Sequence, residues 1–245
     1  MDDRRHSVLV VGATGTQGSA AARGLLRRGH RVRALTREPA RARHLTEWGA
    51  EVAAGDLSRM PRWGTGHWNE AYWETKHRIE EAVRDGGLPA YTILKPSFLM
   101  ENLLPPKAPL MFPELARGEI VTAVGRHVRV QMISADDIAA FAAAALERPG
   151  RFSGQSIELA AEAPTMHEVA ATIGAVTRRT VRAVSLTPSQ AIAAGRPPAV
   201  VRGEEWLNEV GYHAPIDALA SCGVALTGFG QWARTHRSRL AQTGG

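Results

Sequence analysis

The chain has 245 residues, 44% of them hydrophobic and 22% charged, which fits one large soluble domain or a domain with a small appendage. Its longest apolar run, "IAAFAAAAL" at 138–146, is far short of the roughly 20 residues of a bilayer span, and the lone Cys222 rules out an internal disulfide and a cysteine metal cage. The net charge of +6 comes from scattered arginines, with lysine only at 76, 95 and 107, and the lack of a basic helix or aromatic–basic array speaks against nucleic acid as a partner.

The start, "MDDRRHSVLVV", has no signal-peptide pattern, so a cytoplasmic protein with no membrane partner is expected. "SVLVV" (7–11) reads as a buried parallel strand and runs straight into "GATGTQG" (12–18). A helix follows at 19–29, a strand at 30–37, a helix at 39–49 opened by Pro39 and closed by Gly49, and a strand at 50–56. This βαβαβ order predicts an α/β fold with a Rossmann-type parallel sheet and right-handed crossovers.

The glycines have separate tasks in such a turn. Gly12 permits the tight turn out of the strand, Gly15 permits close approach of a pyrophosphate, and Gly18 permits close helix–strand packing. The helix start points free N–H groups and the positive end of its dipole at the phosphates. The second strand ends in Thr36 and Arg37 rather than in the acid that usually holds an NAD ribose. An arginine there can pair with a 2′-phosphate, so NADP(H) is expected over NAD(H); the other reading is one surface arginine among many.

Residues 69–85 read as a helix with Tyr72, Lys76, Ile79 and Val83 on one face. A lysine on an apolar stripe is unusual unless it is paired or liganded. Any helix can show Tyr-x-x-x-Lys by chance, so position has to decide.

"GATGTQG", "TRE" after the second strand, "GAEVAAGDL", "YTILKPSFLMENLL" (91–104) and "MISADDIAAFAAAAL" (132–146) together resemble the NmrA-like family, an atypical branch of the short-chain dehydrogenase/reductase superfamily. The resemblance implies a cofactor domain over 1–160, with 97–128 contributing to the cleft, and a small α+β substrate lobe over 161–245. By the same resemblance Gly12, Thr14, Gly15, Thr16, Gln17 and Gly18 meet the dinucleotide phosphates. Arg37 meets the 2′-phosphate, and Asp56 and Leu57 flank the adenine. Pro96, Ser97 and Phe98 approach the nicotinamide, and Asn102 faces the cleft. Tyr72 becomes a proton donor, and Lys76 its partner and a ribose contact.

The chain departs from its family in one place. After "GDL" the relatives continue through two further βα units, on the order of 50 to 60 residues at ~30 per unit. Here only residues 57–90 precede "YTILKP". The "YTILK" strand then pairs with the first strand, or the sheet keeps an open edge. A reduced sheet, a partner chain that completes it, and a longer natural product all fit. The superfamily's catalytic serine has no counterpart, Ser58 being the nearest candidate.

Other polar residues read as structural. Asp136 and Asp137 suit a helix N-cap, and Glu101 suits a helix start, with a cleft acid or base as the sharper alternative. His67, His77, His127 and His213 lack metal-ligand spacing. "LLPPKAPLMFP" (103–113) is a loop able to cover a cleft, and helices are expected at 188–195, 198–211 and 229–240. Two functions fit, beside a third possibility, a shortened chain that binds no cofactor. One is an NADP(H)-dependent reductase of a small organic carbonyl or quinone. The other is a non-catalytic NADP(H) sensor with a regulatory protein partner. A homo-oligomer fits either.

Overall fold

The structure, a computed structural model, describes residues 6–54 and 80–242. The chain forms two compact units: Met1–Lys95 with Ile138–Ile157, and Pro96–Asp137 with Glu158–Gly245.

The first unit starts with β1 (Ser7–Val11), α1 (Thr16–Arg27), β2 (Arg31–Thr36), α2 (Arg43–Glu47) and β3 (Glu51–Ala54). The strands pair in parallel in the order β1-β2-β3, with Val10 beside Ala34 and Ala34 beside Val52. Alternation along each strand puts Val8, Val10, Val32, Ala34 and Val52 on one face. That face forms a core with Ala22 and Leu25 of α1, Leu45 of α2, and Ala143 of a later helix. Both crossovers advance in the same direction across the sheet, so right-handedness sets both helices on the same face. The predicted helix at 39–49 is tighter at its start: Pro39–Ala42 is a 3₁₀ turn before α2. Gly29 (φ +83°) and Gly49 (φ +95°) end α1 and α2 in the left-handed conformation that glycine adopts at least cost.

A helical stretch, α3, covers residues 80–85 and leads to β4 (Thr92–Pro96). β4 is hydrogen-bonded to β8 (Gln155–Leu159) and not to β1. Among the described residues β2 is the only strand neighbour of β1. α5 (Ala135–Glu147) packs on α1 where a Cβ on Gly24 would stand 3.2 Å from the Ala139 Cβ, and α6 (Pro149–Phe152) follows.

The second unit is built on two short parallel pairs. β5 (Phe98–Leu99) pairs with β7 (Met132–Ile133), and β6 (Glu119–Thr122) pairs with β9 (Arg182–Ser185). Its helices are α4 (Ala108–Met111), α7 (Met166–Thr177), α8 (Pro188–Ala193), α9 (Pro198–Glu209), α10 (Ile216–Leu219), α11 (Phe229–Thr235) and α12 (Arg237–Gln242). α7 and α8 each open on a reciprocal capping box, Thr165 with Glu168 and Thr187 with Gln190. The predicted helix at 229–240 is two helices broken at His236. The core gathers Met100, Leu103, Phe112, Ile120, Ile173 and Trp232.

Candidate functional site: the glycine turn after the first strand

The C-terminal ends of β1 and β2 lie side by side, with Val11 opposite Leu35. Parallel pairing therefore brings the glycine turn and the Thr36–Arg37 pair to the same end of the sheet. In the turn, Gly12 has φ +66°, and the Gly15 N–H donates to the Gly12 carbonyl at 2.9 Å. A side chain on Gly18 would put its Cβ 2.4 Å from that carbonyl oxygen and 2.9 Å from the Ala13 Cα. Both backbone demands read from the sequence are thus present at Gly12 and Gly18. Ala13 is fully buried, while Gly12, Thr14, Gly15 and Gln17 are exposed.

α1 begins at Thr16 with Gly15 as its N-cap, and no side chain caps it. The first N–H groups of any helix lack intrahelical partners, and here no hydroxyl or carboxylate of the cap takes them. The first turn holds no acidic residue. This leaves an exposed, uncapped helix start of positive potential, able to take an anionic oxygen between N–H groups. Arg37 is exposed one residue beyond β2, and the Thr36 Oγ accepts from the Glu38 N–H at 3.2 Å.

Asp56, Leu57, Tyr72 and Lys76 lie outside the described residues, as do Ser58, His67 and His77. The structure does describe the end of the stretch that carries the Tyr–Lys pair. Glu80, on α3, accepts from Lys95 of β4 at 3.1 Å and from Arg84 at 3.0 Å. Burial pushes the Glu80 carboxyl up, but these two cations outweigh it and hold it below its ordinary value. Lys95 is thus an ion-pair anchor between α3 and β4. No sequence spacing marked that pair, because its members are fifteen positions apart on different elements.

In the second unit, Ser97 is 6% exposed. Its N–H donates to the Leu159 carbonyl, and its hydroxyl has no hydrogen-bond partner among the described residues. The Phe98 N–H donates to the Gln131 carbonyl, which leaves Pro96–Phe98 well held by backbone bonds. The Asn102 Oδ1 accepts from Lys107 at 3.4 Å.

Glu101 is occupied structurally. One oxygen accepts from the Ala135 N–H at 3.1 Å and the other from the Trp232 indole at 3.0 Å. The capping role read for Asp136 and Asp137 belongs to Ser134, whose Oγ accepts from the Asp137 N–H. Asp137 instead holds Thr227 through its N–H and hydroxyl, with burial raising the Asp137 carboxyl above its ordinary value. A second buried polar cluster centres on Glu204, which accepts from the Thr122 hydroxyl, the Ala123 N–H and Arg196. Among the described residues, no three His, Cys, Asp or Glu side chains are grouped to hold a metal ion, and no helix is long and apolar enough to cross a membrane.

The NmrA-like family model matches residues 4–65 and 60–227. An NAD(P)H azoreductase of Xenophilus azovorans is 30% identical over 266 aligned positions, covering 87% of this chain and 89% of that protein. Since 87% of 245 residues is about 213, about 53 aligned positions have no residue of this chain opposite them. That is close to the two βα units expected to be absent.

Among solved structures, an NADPH-dependent quinone oxidoreductase of Escherichia coli superposes with a TM-score of 0.72 at 19% identity, over 94% of this chain and 98% of that one. NmrA, a negative transcriptional regulator solved in complex with NADP, superposes with a TM-score of 0.71 at 14% identity, over 100% and 98%. At such identities these two likenesses carry the Rossmann-type fold alone. The family match and the azoreductase relative carry more: the chain belongs to the NmrA-like family.

Proposed function

We propose that this chain is an NADP(H)-dependent reductase of small conjugated organic acceptors, quinone or carbonyl compounds being the class expected. The observation that carries the reading is the turn from β1 into α1. Its positive-φ Gly12, its sterically obligatory Gly18 and its uncapped helix start have the form of a diphosphate cradle. Gly12, Thr14, Gly15, Thr16, Gln17 and Gly18 would hold the dinucleotide phosphates through backbone N–H groups and hydroxyls. Arg37 would pair with a 2′-phosphate, which is the basis for preferring NADP(H).

When bound, the reduced nicotinamide supplies a hydride. The chain's own part is to place the acceptor and deliver the matching proton, so that quinone plus hydride plus proton gives hydroquinone. We assign the proton to the Tyr72 hydroxyl. To Lys76, four positions on, we assign the charge that would favour the tyrosinate left behind. The NAD(P)H azoreductase relative supports reduction of this kind.

NADPH titrated against the protein should give saturable binding by calorimetry. Steady-state NADPH oxidation with a quinone should fall at least 100-fold in Tyr72→Phe with binding retained, and Lys76→Ala should weaken binding itself. Full turnover in Tyr72→Phe would sink the acid role, and an absence of saturable binding would sink the whole reading.

A second reading, a nicotinamide-dependent regulator that binds a protein partner, is favoured by the about 53 missing positions. It predicts saturable NADPH binding with no turnover of any quinone, carbonyl or azo acceptor.

A further inference from the structure

We infer that Glu38 is a latent NAD-type acid, and that Thr36 and Arg41 set the cofactor preference by keeping its carboxylate engaged elsewhere. Glu38 directly follows Arg37 and is the first acid after β2. The pairing of Val11 with Leu35 brings this stretch to the end of the sheet that carries the glycine turn. On the NADP(H) reading proposed above, on which this rests, Arg37 pairs with a 2′-phosphate there. A carboxylate free beside it would pair with the same guanidinium and repel the phosphate. It could also accept from a ribose 2′-OH, as the acid at this point of an NAD site does.

Glu38 is held at three points. Its N–H donates to the Thr36 Oγ at 3.2 Å. Its carbonyl accepts from the Arg41 N–H at 3.0 Å, which opens the 3₁₀ turn Pro39–Ala42. Its carboxylate accepts from the Arg41 guanidinium at 3.5 Å. Pro39 disfavours helical backbone at the residue before it, and Glu38 has φ −129° and ψ +86°. The two side chains act in sequence. Thr36 fixes how the Glu38 backbone leaves the strand, and the 3₁₀ turn brings Arg41, three positions on, back to the carboxylate.

Thr36 is the less expected of the pair. Alternation along β2 puts it with Val32 and Ala34 on the face toward α1 and α2, and it is 6% exposed. An apolar side chain would continue that core as well, and a hydroxyl buried there costs free energy unless it finds a partner. Its partner is the Glu38 N–H, so the hydroxyl serves the bend after the strand rather than the core. The Glu38–Arg41 pair, by contrast, is exposed, and an exposed pair is a modest hold.

Calorimetry of the full chain with NADPH and with NADH tests this as a ratio of dissociation constants. Thr36→Val should narrow the preference for NADPH roughly 3- to 10-fold, the worth of one hydrogen bond, whereas Thr36→Ser should keep it. Arg41→Ala, an exposed change that leaves the core alone, should narrow it roughly 2- to 5-fold, and adding Glu38→Gln should restore it. Without cofactor, the Glu38 amide should exchange slowly in wild type and in Thr36→Ser, and faster in Thr36→Val. A loss in Arg41→Ala that persists with Glu38→Gln overturns the inference, since Arg41 would then touch the phosphate itself. So does an unchanged ratio in Thr36→Val, whether or not its Glu38 amide exchanges faster. If Arg37→Ala abolishes the preference under either of those outcomes, Arg37 keeps its role and Glu38 loses its own. Equal affinities for NADPH and NADH in wild type overturn the role of Arg37 and that of Glu38 together.

Discussion

At Gly18 the shape of the glycine turn depends on a single missing atom. An added Cβ would lie 2.4 Å from the Gly12 oxygen and 2.8 Å from the Gly12 carbon, and both are backbone atoms of the turn itself. Backbone cannot swing aside as a long side chain can, so the turn has to open. Gly18→Ala should cost about 1–3 kcal/mol by urea denaturation, the usual range for overpacking. It should also weaken NADPH roughly tenfold or more, since about 1.4 kcal/mol of misplaced phosphate contact suffices for that. Gly150→Ala is the matched control. A Cβ there meets nothing within 4 Å, and the residue lies inside α6, so the change should be neutral or stabilising by up to about 1 kcal/mol. Equal effects of the two substitutions would remove the steric case for the cradle. Glu101, Asp137 and Glu204 show the reverse lesson, because each carboxylate is already engaged by structural donors. A carboxylate in a motif-rich stretch is thus no evidence of acid–base chemistry until its partners are known.

Between elements, the informative link is Glu80, which ties α3 to β4 through Lys95. Its carboxyl is held below the ordinary glutamate value of 4.5 in the folded chain. A depressed acid contributes stability that is fully present above its unfolded value and lost as pH falls through the folded value. Wild type should therefore exceed Glu80→Gln by about 0.5–1 kcal/mol at pH 7, the range for a partly exposed pair. The gap should close as the pH drops below 4.5. Urea melts of both proteins across this range would show it, and a gap that widens on acidification would contradict the assignment. The elements themselves were largely legible, because strands β1 to β3 and helix α1 follow from apolar runs punctuated by glycine. The break at His236 and the 3₁₀ start before α2 were not, since each depends on how the last turn packs. The Glu80–Lys95 and Asp137–Thr227 bonds were invisible because they join residues that no local period connects.

Across the whole chain, order along the sequence carried the family, while number carried the anomaly. The span 57–90 is too short for the relatives' two βα units, and that shortage, legible by counting, put the pairing of β1 in question; among the described residues its strand neighbour is β2. The glycine turn was legible because diphosphate binding by backbone needs glycine at fixed offsets, whatever the substrate. The substrate was not legible, because acceptor shape is read by side chains spread over many elements. A ligand that binds only the folded state must stabilise it by mass action, whatever its acceptor. NADPH at 100 times its dissociation constant should add roughly 2.7 kcal/mol. For a chain of this size that is a rise of about 5–10 °C in Tm. NADH at the same concentration should give a smaller rise if Arg37 recognises the 2′-phosphate, and Arg37→Ala should bring the two cofactors together. Equal shifts for NADPH and NADH in wild type would withdraw the role of Arg37 but keep the glycine turn. No shift with either cofactor would withdraw both, and would leave the Rossmann unit of this chain as a fold without its usual ligand.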